Sequence, residues 1–76
     1  MTTADTLLDL AARFFKADRD ALAPDADMFE ALGIDSLKAL ELLSEVEMAF
    51  DVEIPDYELQ DLRTFAELAA KIEERR

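Results

Sequence analysis

The stretch Gly33-Ile34-Asp35-Ser36-Leu37 decides how this chain is read. It contains the single glycine of the sequence and one of its two serines, Ser36 and Ser44. Glycine reaches backbone conformations that other residues resist, and the apolar periodicity beginning just after it is helical. Ser36 therefore falls in the first turn of a helix, on a polar corner. A phosphate ester there would meet unpaired backbone N–H groups and the positive end of the helix dipole. Serine at a helix start is most often the cap itself. Asp35 can supply that cap instead and leave the Ser36 hydroxyl free. Neither serine has a base beside it, so the position suits attachment of a group better than catalysis by this chain.

Downstream, the pattern predicts a second helix from Asp35 or Ser36 to about Phe50. Ala39, Leu42, Leu43, Val46, Ala49 and Phe50 fall on its core side at 3.6 residues per turn. Leu37, Glu41, Ser44 and Met48 line the opposite side, flanked by Glu45 and Glu47. Upstream, a first helix is expected from about Thr3 to Lys16, with Leu7, Leu10, Ala11 and Phe14 inward and Leu8 and Phe15 broadening that face. A long connection from about Ala17 to Ile34 joins the two. Its Leu22, Met28, Phe29 and Leu32 are too apolar for free solvation, so it should lie over the core, with Met28 to Leu32 a short turn of helix stopped by Gly33. Unstructured loops of that length are uncommon in compact domains and tend to be functional. After Phe50, Ile54-Pro55-Asp56 breaks the chain and Tyr57 to Asp61 is expected as a short third helix, with Pro55 fitting a first helical turn. The last helix opens on Thr64-Phe65-Ala66-Glu67, a capping box, and Leu68 and Ile72 mark its inner face. The fold class is all-α: three main helices plus one short helix, with the long loop between helices one and two, forming one domain over residues 1–76.

At 76 residues the chain is small, and a domain of this size buries only about 60% of its unfolded surface. It has no cysteine and no histidine, which removes thiolate chemistry, the usual general base and the usual zinc ligand. No run is apolar enough to span a bilayer and no signal peptide is evident, so a cytoplasmic protein without membrane insertion is expected. Net charge is −11, and residues 20–62 hold thirteen of the nineteen acids against one base, Lys38. Such a segment repels nucleic acid and favours a basic protein surface. Asp25 and Asp27 open like a calcium loop, but Phe29 occupies the next ligand position and no glycine follows, so no metal site is assigned. Phe14, Phe15, Phe29, Phe50 and Phe65 read as core.

The setting of Ser36 resembles the acyl carrier protein family over nearly the whole chain. Gly33-Ile34-Asp35-Ser36-Leu37 looks like that family's attachment motif, Leu40-Glu41-Leu42-Leu43 continues the second helix as members do, and Phe50-Asp51-Val52-Glu53-Ile54-Pro55-Asp56 looks like the lead into their short third helix. The resemblance implies that Ser36 receives phosphopantetheine from coenzyme A through a magnesium-dependent phosphopantetheinyl transferase. Asp35 would assist at that enzyme's metal and phosphate site, with Leu37 beside it. The arm's thiol then carries acyl groups as thioesters, supplying the sulfur this chain lacks, and the chain itself is no enzyme. The resemblance also makes the second helix the recognition helix, and the core a shelter that can open to a loaded chain.

Leu37, Ser44 and Met48 form a narrow stripe edged by Glu41, Glu45 and Glu47, beginning beside Ser36. Charge that steers and a small apolar contact that fixes register are the properties of a transient docking surface. By family position, Asp35, Glu41, Glu47, Glu53 and Asp56 face partners, which the resemblance gives as acyl-transferring and ketosynthase-type enzymes with basic docking surfaces. Two departures stand out. Lys38 stands where many fatty-acid carriers have an acid, and Ser44 where a larger apolar residue is common. Both suggest a dedicated partner set, and the absence of a Gly-Gly-His-Ser type motif argues against a peptide-synthetase carrier. The expectation is a discrete, monomeric carrier for fatty-acid, polyketide or related lipid synthesis; the alternative is an unmodified acidic helical adaptor binding basic proteins.

Overall fold

A computed structural model describes residues 2–75 of the chain. Four α-helices run in order: α1 Thr3–Phe15, α2 Met28–Leu32, α3 Ser36–Phe50 and α4 Phe65–Arg75. Two 3₁₀ segments, Arg19–Ala21 and Asp56–Asp61, sit in the connections. The three long helices fall where the apolar periodicity places them, and the described residues form no strand beyond one isolated bridge between Asp27 and Thr64. The long loop is more ordered than its composition suggests, since it holds both the Arg19–Ala21 turn and α2. Pro55 precedes the Asp56–Asp61 segment in extended backbone (φ −58°, ψ 140°) and does not enter its first turn.

Each helix start is satisfied by a side chain placed for it. Thr2 caps α1, with Thr2 and Asp5 bonding each other's backbone N–H; this Thr-x-x-Asp box was legible in the sequence but not singled out. Asp27 caps α2 by accepting from the N–H of Phe29 and Glu30 at 2.8 and 3.2 Å. At α4 the expected box is present: the Glu67 N–H donates to Thr64 Oγ1 at 3.1 Å, and the Thr64 N–H donates back to Glu67 Oε1 at 3.0 Å. The helix ends follow one device. Lys16, Gly33 and Asp51 each take the left-handed conformation that turns a helix off; Gly33 does so without a Cβ penalty, whereas the other two adopt it despite one.

The core comes from all parts of the chain. Leu7, Leu8 and Ala11 of α1 pack with Leu42, Leu43 and Val46 of α3 and with Phe65, Leu68 and Ile72 of α4, while Leu22, Met28, Val52, Ile54, Leu59 and Leu62 close it from the connections. Several apolar residues expected inside are not. Phe14 is 37% exposed and stacks edge-on against Phe15 at 4.9 Å, because Ala12 takes the inward position in that turn. Ala49 is exposed, and Phe15, Phe29 and Phe50 are half-buried, leaving Phe65 as the aromatic at the centre.

The loop is fastened to the start of α4 by a compact polar stitch. The Met28 N–H donates to the Arg63 carbonyl and the Ala66 N–H to the Pro24 carbonyl, both at 2.7 Å. Arg63 returns two donors, Nε and Nη2, to Asp27 Oδ2 at 3.1 and 2.8 Å, and its guanidinium lies 5.2 Å over the Phe29 ring. Partial burial pushes the Asp27 carboxyl up, but the Glu30 and Phe29 N–H groups and Arg63 outweigh it and hold the carboxyl below its ordinary value. The N–H groups of Arg63 and Thr64 lower Glu67 in the same way.

Both carboxylates thus favour the fold in their ionised form. Their contribution is complete above the ordinary carboxylate range of about 3.9–4.3 and is lost as acid titrates them through lower folded-state values. A double variant, Asp27→Asn with Glu67→Gln, is expected to melt below the wild type at pH 7, with the gap closing below about pH 4. Thermal melts from pH 7 to 2 check this; a gap that stays constant in acid would contradict it.

Candidate functional site

Asp35 stands just outside α3 in extended backbone, and its Oδ1 accepts from the Lys38 N–H at 3.0 Å. The cap is therefore aspartate, and Ser36 occupies the first helical position, exposed, with its hydroxyl unbonded to protein among the described residues. The backbone N–H groups of Ser36 and Leu37 likewise donate to no protein acceptor. The arrangement is a free hydroxyl beside two unspent N–H donors at the positive end of a 15-residue helix, which fits an anionic ester on that oxygen. Gly33 closes α2 three residues earlier at φ 65°, and a Cβ there would touch nothing within 4 Å. Its role is purely conformational.

Along α3 the outward stripe is as expected. Leu37, Glu41, Ser44 and Met48 are exposed on one line, and Leu37 and Met48 are 68% and 72% accessible. Lys38 does not present an isolated positive charge: Nζ pairs with Glu41 Oε2 at 3.2 Å. Glu45 and Glu47 are half-buried, and Glu47 Oε2 accepts from the Ile54 N–H at 3.0 Å. Glu47 therefore fastens the turn after α3. Glu53 and Asp56 are exposed, Glu53 with its carbonyl taking a bond from Arg75. Among the described residues no group of three or more Asp or Glu is placed to hold a metal ion. The carboxylate of Asp27 is instead occupied by the stitch.

A cleft of about 530 Å³ opens beside Ser36, lined by Asp35 and Ser36 together with Phe29, Leu40, Asp56, Tyr57, Leu59, Gln60 and Arg63. Tyr57, Gln60 and Arg63 were not singled out from the sequence. Tyr57 is 67% exposed, so periodicity alone would have marked it as unusual for a core position in the short segment. Nothing local links Arg63 to Phe29, which lies far from it in the sequence.

Residues 5–72 match the family model described as the phosphopantetheine attachment site. The chain belongs to that carrier family. It is 37% identical over 62 residues to an acyl carrier protein of Syntrophobacter fumaroxidans, covering 82% of this chain and 76% of that one. It is 34% identical over 73 residues to an acyl carrier protein of Campylobacter curvus, covering 96% and 95%. A D-alanyl carrier protein of Streptococcus equi subsp. zooepidemicus is 34% identical over 76 residues, covering 97% and 95%. The chain is thus a phosphopantetheine carrier of the acyl carrier protein family. Its cofactor is held covalently on a serine, and members are carriers that work with a phosphopantetheinyl transferase and biosynthetic enzymes. No helix among the described residues is long and apolar enough to cross a membrane.

Because Asp35 is the cap, Asp35→Ala is expected to lower stability by about 1 kcal/mol, while Asp35→Asn keeps most of it. Urea denaturation of the two variants checks the order, and equal losses would assign the cap elsewhere.

Proposed function

We propose that Ser36 carries the phosphopantetheine arm and that α3 presents it to partner enzymes. The observation that supports this reading is the division of labour at the helix start: Asp35 takes the cap bond and the Ser36 hydroxyl is exposed and unspent. In the transfer, the Ser36 oxygen attacks the phosphorus of coenzyme A that bears pantetheine. The new P–O bond replaces the pyrophosphate link, adenosine 3′,5′-bisphosphate leaves, and the hydroxyl proton goes to a base of the transferase, since this chain offers none nearby. The phosphodiester then lies against the free N–H groups of Ser36 and Leu37. Asp35, exposed and adjacent to the Ser36 hydroxyl, is the residue here best placed to face the transferase's metal ion.

Delivery follows from the same helix. Leu37 and Met48 give a small apolar seam with Ser44 between them, and Glu41, Glu45, Glu47, Glu53 and Asp56 surround it with negative charge that steers basic partners. The Lys38–Glu41 pair cancels one unit of that charge on the seam, and this favours a partner set distinct from one built for an uninterrupted acidic stripe. Acyl-transferring and ketosynthase-type enzymes of fatty-acid, polyketide or related lipid synthesis fit the surface, with the monomeric domain of residues 1–76 working in the cytoplasm.

Incubation with coenzyme A, magnesium and a broad-specificity transferase is expected to add one phosphopantetheine to the wild type and to Ser44→Ala, and none to Ser36→Ala. Intact mass reads the result. Addition to Ser36→Ala would move the site, and no addition to folded wild type would favour the unmodified adaptor.

Docking is tested separately on arm-bearing protein. Leu37→Ala and Glu41→Lys are each expected to raise the KM of a partner enzyme by roughly fivefold to tenfold, about 1 kcal/mol, with only the Glu41→Lys effect fading in high salt. Unchanged KM in both, with melting unaltered, would remove α3 from the interface.

A further inference from the structure

The chain has no cysteine, histidine or tryptophan and three methionines, so thioether is its only side-chain sulfur. Two of the three, Met28 and Met48, fall within the described residues. Their settings are opposite. Met28 is 2% exposed in the core, whereas Met48, at 72%, is the most exposed large apolar side chain among the described residues. Met48 also stands on the outward line of α3 that begins at Leu37. One of the two apolar members of that seam is therefore a solvent-facing thioether. Its surroundings are negative: Glu45 stands one turn before it, and Asp51 ends the helix just beyond, where the helix dipole is also negative. Such a field repels anionic oxidants and leaves a neutral hydroperoxide unhindered.

We infer that Met48 is a reversible oxidation site, at which a neutral hydroperoxide weakens docking of the carrier to its partner enzymes. The inference rests on the reading of α3 as the docking helix. In the step, the Met48 sulfur attacks the distal oxygen of the hydroperoxide. An S–O bond forms as the O–O bond breaks, and the sulfur is oxidised by two electrons. The proton moves to the leaving oxygen, which departs as water or an alcohol. The sulfoxide product is strongly dipolar but carries no net charge. Pressed against a partner's apolar contact, its oxygen loses water and gains no donor, which opposes docking. The surrounding carboxylates are untouched, so steering persists while the contact that fixes register is lost. Met28 lies out of reach in the core, and the fold is kept. Methionine sulfoxide reductases of both stereospecificities restore the thioether.

The test oxidises the full chain with hydrogen peroxide before the arm is loaded, so that the arm's thiol never meets the oxidant. Peptide mapping by mass spectrometry follows each methionine, and Met48 is expected to gain its oxygen about tenfold faster than Met28. The chain is then loaded at Ser36 and assayed with a partner enzyme that elongates the acyl group, beside Leu37→Ala. Oxidation at Met48 is expected to raise KM roughly threefold to tenfold with melting unaltered, and the reductases are expected to reverse it. Met48→Leu, whatever its own KM, should show no peroxide-dependent change. Equal oxidation rates at Met28 and Met48, or a peroxide-dependent rise that persists in Met48→Leu, would overturn the inference. So would a KM unmoved by Met48 oxidation where Leu37→Ala raises it, and docking through α3 would then stand. If Leu37→Ala also leaves KM unchanged, the docking reading fails and the inference fails with it.

Discussion

The constraint on which the rest of the structure depends is the stitch between residues 24–28 and 63–67. A connection as long as Ala17–Ile34 costs entropy to order, and its apolar residues gain by burial only if the segment is held across the core. Asp27 performs three tasks at once. It caps α2, receives two donors from Arg63, and through its neighbour Met28 joins the backbone of the segment leading into α4. That fastening positions α2, and α2 in turn sets Gly33 and the start of α3. The first turn of α4 gains from the same contact, because the Pro24 carbonyl satisfies one of its otherwise orphaned N–H groups.

A second strand of polar contacts holds the other end. Glu58 meets Lys71 and Arg75 of α4, and the Arg75 guanidinium also reaches the Glu53 carbonyl. The flanking bases of the sequence are thus drawn onto the edges of the acidic segment, while Arg19 pairs with Asp5 and Asp9 near α1. Most of these pairs are partly exposed and individually worth little. Their effect is spatial: they tie down bases at the periphery and leave the face around Ser36, apart from the Lys38–Glu41 pair and Arg63, negative and open.

Periodicity carried the three long helices, the Gly33 stop, the Thr64–Glu67 box and the exposed line Leu37–Glu41–Ser44–Met48, since each depends on residues within a turn or two of one another. It misplaced Phe14 and Ala49. Both lie near the margin of an apolar stripe, where a small rotation of the helix decides which neighbour faces inward, and beside Phe14 it is Ala12 that took the buried position. The role of Asp27 was invisible for another reason. A lone aspartate in an acidic loop says nothing of an arginine 36 residues away.

The sequence by itself determined the helices, the capped and charged setting of Ser36 and the family to which the chain belongs, because these are properties of local spacing and of a motif read in order. Only the tertiary structure decided that Asp35 takes the cap bond and leaves the hydroxyl free, that Glu47 turns one oxygen back to Ile54, and that Phe29, Tyr57, Gln60 and Arg63 meet in a cleft beside Ser36. Those outcomes depend on which of several competing donors and acceptors folding brings within reach, and on contacts between segments that no periodicity connects.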